Sequence, residues 1–232
     1  MAPALPSAKA AGKTRRRSAI APGETAPPNR RLDILKSAEE LFAERGYHAV
    51  SVRDIAARAG VPLALVGYYF GHKEELLGTI FEHRRAYIDE RLQRIAAVDC
   101  SPANPDAVEE LVRAWVEPAV LLRATEGGAA FSLLVARTTW DQGPEAQGVI
   151  EPYYDPLARA FIAAMERALP RCDRATIVWG YEYALGALLK HIADRRVERL
   201  SDGRETSADP GRMADLVRFL TAGFRALAAA TP

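Results

Sequence analysis

The chain has 232 residues, 49% of them hydrophobic and 26% charged, which suits one large domain or two small ones with a well-packed core. Its two cysteines are too few for a disulfide framework or a thiolate metal site, and they favour a reducing, cytoplasmic setting. The longest apolar stretch, residues 128–136, is far shorter than the ~20 residues that a membrane span needs, so we expect no membrane association.

The N-terminal segment carries most of the positive charge. Residues 1–29 have a net charge of +4, whereas residues 30–78 sum to zero and residues 79–232 to −3. The segment has almost no large apolar side chains, so its composition predicts a disordered basic tail. Two roles remain open for it: a solubilising tail, and an arm that binds phosphates regardless of sequence.

Residues 30–60 predict two helices with local start and stop signals. One helical stripe of apolar residues predicts a first helix over 30–45, which Gly46 would end in the left-handed conformation. A capping box of Ser51 and Asp54 begins a short second helix, and Gly60 ends it. The stripe of the first helix consists of Ile34, Leu35, Ala38, Leu41 and Phe42.

A third helix over about 62–69 and a much longer fourth helix over about 72–98 follow. Pro62 would occupy the first turn of the third helix, where a missing N–H is tolerated. Because a tight glycine turn joins the second and third helices, the pattern predicts a helix-turn-helix unit. In such a unit one helix enters the major groove of DNA and the preceding helix braces it across the phosphates.

The wording of this unit is more specific than a three-helix pattern. Its characteristic residues are Ile34, Ala38-Glu39-Glu40-Leu41-Phe42-Ala43-Glu44-Arg45-Gly46-Tyr47, Ser51-Val52-Arg53-Asp54-Ile55-Ala56, Ala59-Gly60-Val61, Tyr68-Tyr69-Phe70 and Lys73-Glu74-Glu75-Leu76. With these residues the unit closely resembles the DNA-binding domain of the TetR family of bacterial transcriptional regulators. The resemblance implies an all-α protein with a three-helix DNA-binding domain at 30–76 and a helical effector-binding and dimerisation domain at 77–232.

The resemblance also implies which residues contact DNA. Phosphate or backbone contacts are implied for Ser51, Tyr68, Tyr69 and Lys73. Arg53 matches a position that reaches a phosphate or a base edge. Base contacts are implied at the opening of the recognition helix, by Pro62, Leu63 and Ala64.

The recognition helix departs from the family pattern. Residues 61–67 contain no side chain that can form a hydrogen bond, and Gly67 stands where the family often has tyrosine. The helix therefore lacks the arginine–guanine and asparagine–adenine pairs of direct readout. We hypothesise that Arg53 supplies the polar readout and that apolar side chains contact thymine methyl groups. The apolar candidates are Leu63, Ala64 and Leu65; for the two leucines, packing against neighbouring helices is the alternative.

The remainder of the chain predicts further helices separated by polar turns. Pro152 and Pro156 are expected to kink or split one of them, and Asp173 is expected to cap a long helix. The predicted helices cover about 108–125, 129–140, 145–169, 173–200 and 213–230, with a mobile loop at 201–211.

The last two helices, at about 173–200 and 212–230, are apolar on more than one side. Such stripes either close the core of a monomer or mediate dimerisation, and the resemblance implies a homodimer with a four-helix interface. A two-fold dimer places its two recognition helices one or more turns of DNA apart. The predicted DNA partner is therefore a palindromic operator.

Large aromatic residues collect in the middle of the C-terminal domain. A cavity lined by them and by a few polar groups would bind a small organic effector, which the resemblance also implies. Core packing is the alternative for each aromatic residue. The candidate pocket residues are Trp115, Phe131, Arg137, Trp140, Tyr154, Trp179, Glu182 and Tyr183.

The sequence contains no Gly-x-Ser-x-Gly, Gly-x-x-x-x-Gly-Lys-Ser/Thr or His-Glu-x-x-His motif, and its four histidines are scattered. We therefore expect no enzyme activity, no cofactor and no metal site. The predicted function is a TetR-type regulator, a repressor that a small effector releases from its operator. The alternative is a weakly specific or architectural DNA-binding protein without an effector.

Overall fold

The computed structural model describes residues 29–101, 103–141 and 143–229; apart from Asn29, the predicted basic tail lies outside these ranges. The described residues form eleven α-helices, one 3₁₀ turn at Pro210–Arg212 and no strand, which confirms the all-α prediction. None of these helices is long and apolar enough to cross a bilayer. The helices are α1 (Arg30–Arg45), α2 (Val52–Ala59), α3 (Leu63–Phe70), α4 (Lys73–His83), α5 (Arg85–Ala96), α6 (Ala107–Leu122), α7 (Gly128–Trp140), α8 (Pro144–Ala168), α9 (Arg174–Ala193), α10 (Arg196–Leu200) and α11 (Met213–Ala229).

The capping signals around α2 act as predicted. The Ser51 hydroxyl accepts the Asp54 N–H at 3.2 Å, and the Asp54 carboxylate accepts the Ser51 N–H at 2.8 Å, which completes the capping box. Gly60 ends the helix in the left-handed conformation, with φ 65° and ψ 33°. The tight turn between α2 and α3 is therefore set by local sequence.

Two details of this region differ from the prediction. Gly46 has a positive φ of 84°, but its ψ of 156° lies outside the left-handed helical region. Pro62 precedes the third helix as its N-cap residue and does not occupy the first turn, because its ψ of 138° is extended.

The predicted long fourth helix is divided into α4 and α5 at Arg84, so that prediction was wrong. Arg84 has a φ of −98° and a ψ of 8°, which interrupts the helical backbone. Its guanidinium forms a bidentate, largely buried ion pair with Glu39 of α1, at 2.7 and 3.1 Å. The break thus coincides with a contact between residues 45 positions apart in sequence.

Two further helix boundaries differ from the prediction. The helix expected to end near 200 stops at Ala193, because Asp194 is extended and its carboxylate accepts the Arg196 N–H that begins α10. Conversely, α8 is a single helix, so the expected split is absent. Pro152 and Pro156 both lie on its exposed side, where water can hydrate the carbonyl groups that they leave unpaired.

Two buried clusters form the core. One lies among α5, α6, α8, α9 and α11, and the other among α1–α4. The second cluster also includes Phe131 and Leu134 of α7 and Ile150 of α8. The helix-turn-helix unit therefore rests directly on α7, and a boundary at residue 76 falls within α4, whose Ile80 and Phe81 belong to the same cluster.

Candidate nucleic-acid interface and effector cavity

One side of α3 is uncovered. Val66 and Phe70 turn into the core, whereas Tyr68 on the opposite side is 80% exposed. Leu63 is also exposed, so it is available for contact, while Leu65 is half-buried and packs against the N-terminal cluster. The uncovered face consists of Pro62, Leu63, Ala64, Gly67, Tyr68 and Tyr69.

Arg53 projects from α2, the helix that packs against α3. Its side chain is exposed and makes no hydrogen bond or ion pair with any residue that the structure describes. A guanidinium with all five donors available suits either a phosphate or a guanine edge.

Ser51 and Lys73, the two predicted phosphate contacts, are both engaged within the protein. The Ser51 hydroxyl donates its single hydrogen to the Asp54 carboxylate, and this bond lowers the pKa of Asp54. The Lys73 ammonium donates to the carbonyls of Tyr47 and Val50 at 3.1 and 3.2 Å and lies 4.1 Å from the centre of the Tyr47 ring. Lys73 therefore ties the segment between α1 and α2 to the start of α4.

Arg31 is a candidate that sequence reasoning missed. It is exposed at the start of α1, and its guanidinium lies 5.0 Å above the ring of Phe70, at the end of α3. Only the fold brings these residues together, because they are far apart in sequence. Arg31 extends the positive charge beside the uncovered face, where Tyr68 and Tyr69 form an edge-to-face pair.

A cavity of about 290 Å³ opens between α5, α6, α7, α8 and α9. Three of the eight predicted pocket residues line it: Trp115, Tyr154 and Glu182. Burial raises the pKa of Tyr154, and it raises that of Tyr181, also in the wall, to about 12. Both hydroxyls therefore remain protonated at neutral pH and can donate hydrogen bonds.

The other five predicted pocket residues do not line this cavity. Phe131 packs against Phe81 in the N-terminal cluster, with ring centres 5.5 Å apart. Arg137 is exposed and donates to the Glu44 carbonyl at 3.3 Å. Trp140, Trp179 and Tyr183 are exposed, so they lie neither in this cavity nor in the core.

Arg91 is the most informative cavity residue, and sequence reasoning missed it. Its side chain is 3% exposed, and it donates to the Tyr87 hydroxyl and the Trp115 carbonyl at 3.2 and 2.7 Å. A signal was present in the sequence, since Arg91 lies three residues after Ile88 and four before Ile95, inside the apolar stripe of α5.

An apolar groove runs between α9 and α11 on the outer surface. Trp179 and Tyr183 stack along α9 with ring centres 5.9 Å apart. Phe219 of α11 is 69% exposed and lines the groove together with Tyr183 and Gly223. No group of three metal-ligating side chains that could hold an ion occurs here or elsewhere in the described residues.

Two family models match the chain. The first, described as bacterial regulatory proteins of the tetR family, matches residues 34–80, and the second, described as the tetracyclin repressor-like C-terminal domain, matches residues 113–223. The HTH-type transcriptional repressor Rv3405c of Mycobacterium tuberculosis is 44% identical over 66 residues, 28% of this chain and 35% of its own length. The repressor KstR2 of the same species is 36% identical over 77 residues, 33% and 37% of the two lengths. The chain thus spans about a third of the length of these curated relatives.

Solved structures resemble the whole fold. A TetR-like regulator from Rhodococcus sp. RHA1 has a TM-score of 0.60 at 18% identity and covers 88% of this chain and 99% of its own. The regulator FadR of Bacillus subtilis, solved with stearoyl-CoA, has a TM-score of 0.55 at 17% identity. The match covers 83% of this chain and 98% of FadR. At these identities the likeness concerns the fold.

Proposed function

This chain belongs to the TetR family of bacterial transcriptional regulators, and we propose that it is a repressor that binds a palindromic operator as a homodimer and leaves it when a small organic effector binds. The observation that carries the proposal is the uncovered face of α3, beside the unpaired Arg53. Such a repressor works in the cytoplasm, where bacterial DNA lies.

The chemistry of this face supports binding in the major groove. A B-DNA major groove admits one α-helix, and α3 offers small and apolar side chains that fit against thymine methyl groups. Arg53 adds the charge for a phosphate or guanine contact, and the Tyr68 and Tyr69 hydroxyls suit the sugar–phosphate backbone. At the N-terminus of α2 the capping box already engages the Ser51 hydroxyl and the Ser51 and Asp54 N–H groups, so a phosphate there would be held by the Val52 and Arg53 N–H groups or by the Arg53 side chain.

The groove between α9 and α11 supports the homodimer. Exposed aromatic side chains rarely form a continuous patch on a monomer, and here they lie on the two helices that the sequence predicts for dimerisation. Small residues such as Gly223 let a partner helix approach closely. A symmetric contact through this groove would bring two α3 helices to one palindrome.

The position of α7 supports coupling between effector and DNA. Val135 and Thr139 of α7 line the cavity, whereas Phe131 and Leu134 of the same helix lie in the N-terminal cluster against α1. An effector that shifts α7 therefore acts on the helix that carries the DNA-binding unit. To release the operator, the effector must bind one dimer geometry more favourably than the other. The difference in its binding free energy must be at least about 1–3 kcal/mol.

Selection from random duplex DNA tests the proposal. We expect the full chain to enrich a palindromic sequence, and fluorescence anisotropy to show about 10³-fold or stronger preference over a scrambled duplex at fixed salt. A strongly salt-dependent affinity with no preference would favour the weakly specific, architectural protein instead.

A further inference from the structure

Arg91 places a positive charge in the cavity wall, and no described carboxylate lies within ion-pair distance of it. Its Nη atoms donate to the Tyr87 hydroxyl and the Trp115 carbonyl, and its buried Nε atom has no hydrogen-bond partner among the described residues. No described carboxylate forms an ion pair with it. Because a buried charge without a close counter-charge is unfavourable, an anion bound directly beside Arg91 would stabilise it.

We propose that the effector is a compact organic monocarboxylate whose carboxylate pairs with Arg91. The proposal rests on the function proposed above and defines the chemical class of its ligand. The rings of Tyr87 and Trp115 each lie 5.5 Å from the guanidinium carbon and hold the group in one orientation. The Arg91 guanidinium is planar, is fixed in orientation and still has free N–H donors. Such a group suits a carboxylate, which can accept two parallel hydrogen bonds from it.

The rest of the cavity selects an apolar body for this carboxylate. Much of the wall is aliphatic, and the protonated hydroxyls of Tyr154 and Tyr181 add hydrogen-bond donors but no charge. The aliphatic part of the wall includes Ala119, Leu157, Leu185, Leu188, Leu189 and Ile192. At about 290 Å³ the cavity is at the small end of the range for ligand sites, so the molecule is short.

Acidic residues at the cavity discriminate against polyanions. Glu151, Asp155 and Glu182 also line it and are exposed, and only Asp155 has an ion-pair partner among the described residues, Arg159 at 2.8 Å. A coenzyme A thioester would bring several phosphate charges to this acidic side and has no free carboxylate for Arg91. The geometry therefore favours the free acid over its thioester.

Calorimetric titration of the 232-residue chain tests the proposal. The probes are short and medium-chain fatty acids and phenylalkanoic acids, each beside its primary amide and its coenzyme A thioester. We expect at least one acid to bind about tenfold or more tightly than its amide, because a charge-assisted hydrogen bond is lost in the amide. The Arg91→Met variant should bind acid and amide within about twofold of each other. The matched control is Arg94→Met, which removes an exposed arginine of the same helix outside the cavity and should keep the preference for the acid.

Folding and DNA binding are measured separately on the same variants. Arg91→Met removes a buried charge, so this variant should still unfold cooperatively on heating. Arg91→Lys keeps the charge but lacks the planar guanidinium, so it should retain part of the preference for the acid over its amide. The proposal is overturned if no acid binds, if amides or thioesters bind as tightly as acids, or if Arg91→Met keeps the preference. If the ligand-free protein selects no operator, the proposed function fails whatever the acids do.

Discussion

At the scale of single residues, two cations of the DNA-binding unit, Arg53 and Lys73, have different surroundings. Arg53 has no side-chain partner among the described residues, whereas Lys73 makes two hydrogen bonds to backbone carbonyls. The two residues look equivalent in sequence, as basic groups near the starts of two helices. Their surroundings favour a DNA contact for Arg53 and a structural role for Lys73, and substitution experiments can distinguish the two roles.

Arg53→Ala should weaken binding to the selected operator by about 1–3 kcal/mol and leave binding to random duplex DNA nearly unchanged, because we expect Arg53 to contact a base edge. Anisotropy titrations with both duplexes measure the two losses. Arg159→Ala, which removes an exposed arginine from α8, serves as the control for net charge. An equal loss on the two duplexes would identify Arg53 as a phosphate contact.

Lys73→Met should lower the stability of the ligand-free protein by about 1–2 kcal/mol, since two partly buried carbonyls lose their donor. The slope of log affinity against log salt should stay unchanged, because the ammonium is already committed to Tyr47 and Val50. Thermal unfolding and salt titrations give the two quantities. A slope reduced by about 0.9 at unchanged stability would instead support the phosphate contact that the family resemblance implies.

At the scale of elements, the two glycines that flank the start of α3 offer a matched pair. Gly60 has a φ of 65° and ends α2, whereas Gly67 lies within α3 with open space around its Cα. Gly60→Ala should cost about 1–2 kcal/mol of stability through left-handed strain. Gly67→Ala should raise the stability by up to about 1 kcal/mol, because alanine has the higher helix propensity. It should also change operator affinity, because it adds a methyl group to the uncovered face.

Chemical denaturation of both variants measures the stabilities, and the operator titration measures the affinities. A stabilised Gly67→Ala protein with wild-type affinity and sequence preference would mean that this part of α3 does not approach DNA. A Gly60→Ala protein as stable as the wild type would mean that the turn between α2 and α3 relaxes without cost.

The elements that sequence predicts well are those whose ends are set by neighbouring residues. The capping box of Ser51 and Asp54 and the left-handed Gly60 are local devices, so α2 is recognisable before any tertiary contact is known. The break at Arg84 is different, because its largely buried pairing partner Glu39 lies on α1. Periodicity continues smoothly through such a break and predicts one helix where the fold makes two.

The candidate cavity is predictable only in part for the same reason. Trp115 and Tyr154 belong to it, but an aromatic residue on a helix can equally face another core or the surface, as Phe131 and Trp179 do. Which of these occurs depends on how helices distant in sequence pack together. A charged residue inside an apolar stripe, such as Arg91, indicates a binding cavity more selectively than an aromatic residue does. Burying a charge is unfavourable unless a partner or a ligand compensates it.

At the scale of the whole molecule, the three proposed activities, which are DNA binding, effector binding and dimerisation, involve a small set of helices. The helix α7 contacts both the candidate effector cavity and α1, while α9 provides residues to that cavity and to the groove proposed for dimerisation. A ligand in the cavity therefore contacts elements that set both the position of the DNA-binding unit and the relation between subunits. In the proposed function, both operator recognition and release therefore depend on dimerisation.

A single charge in the groove between α9 and α11 tests that dependence on dimerisation. Phe219→Glu places a carboxylate in the apolar groove between α9 and α11, and burying it in a dimer without a partner is strongly unfavourable. We expect light scattering to report a folded monomer. Operator affinity should fall about 100-fold or more, because each half-site is then bound without the avidity of the pair. Trp140→Glu, at an aromatic residue of similar exposure at the end of α7, should remain dimeric. If Phe219→Glu keeps both the dimer mass and the operator affinity, the subunits meet elsewhere and the two α3 helices cannot be related through this groove.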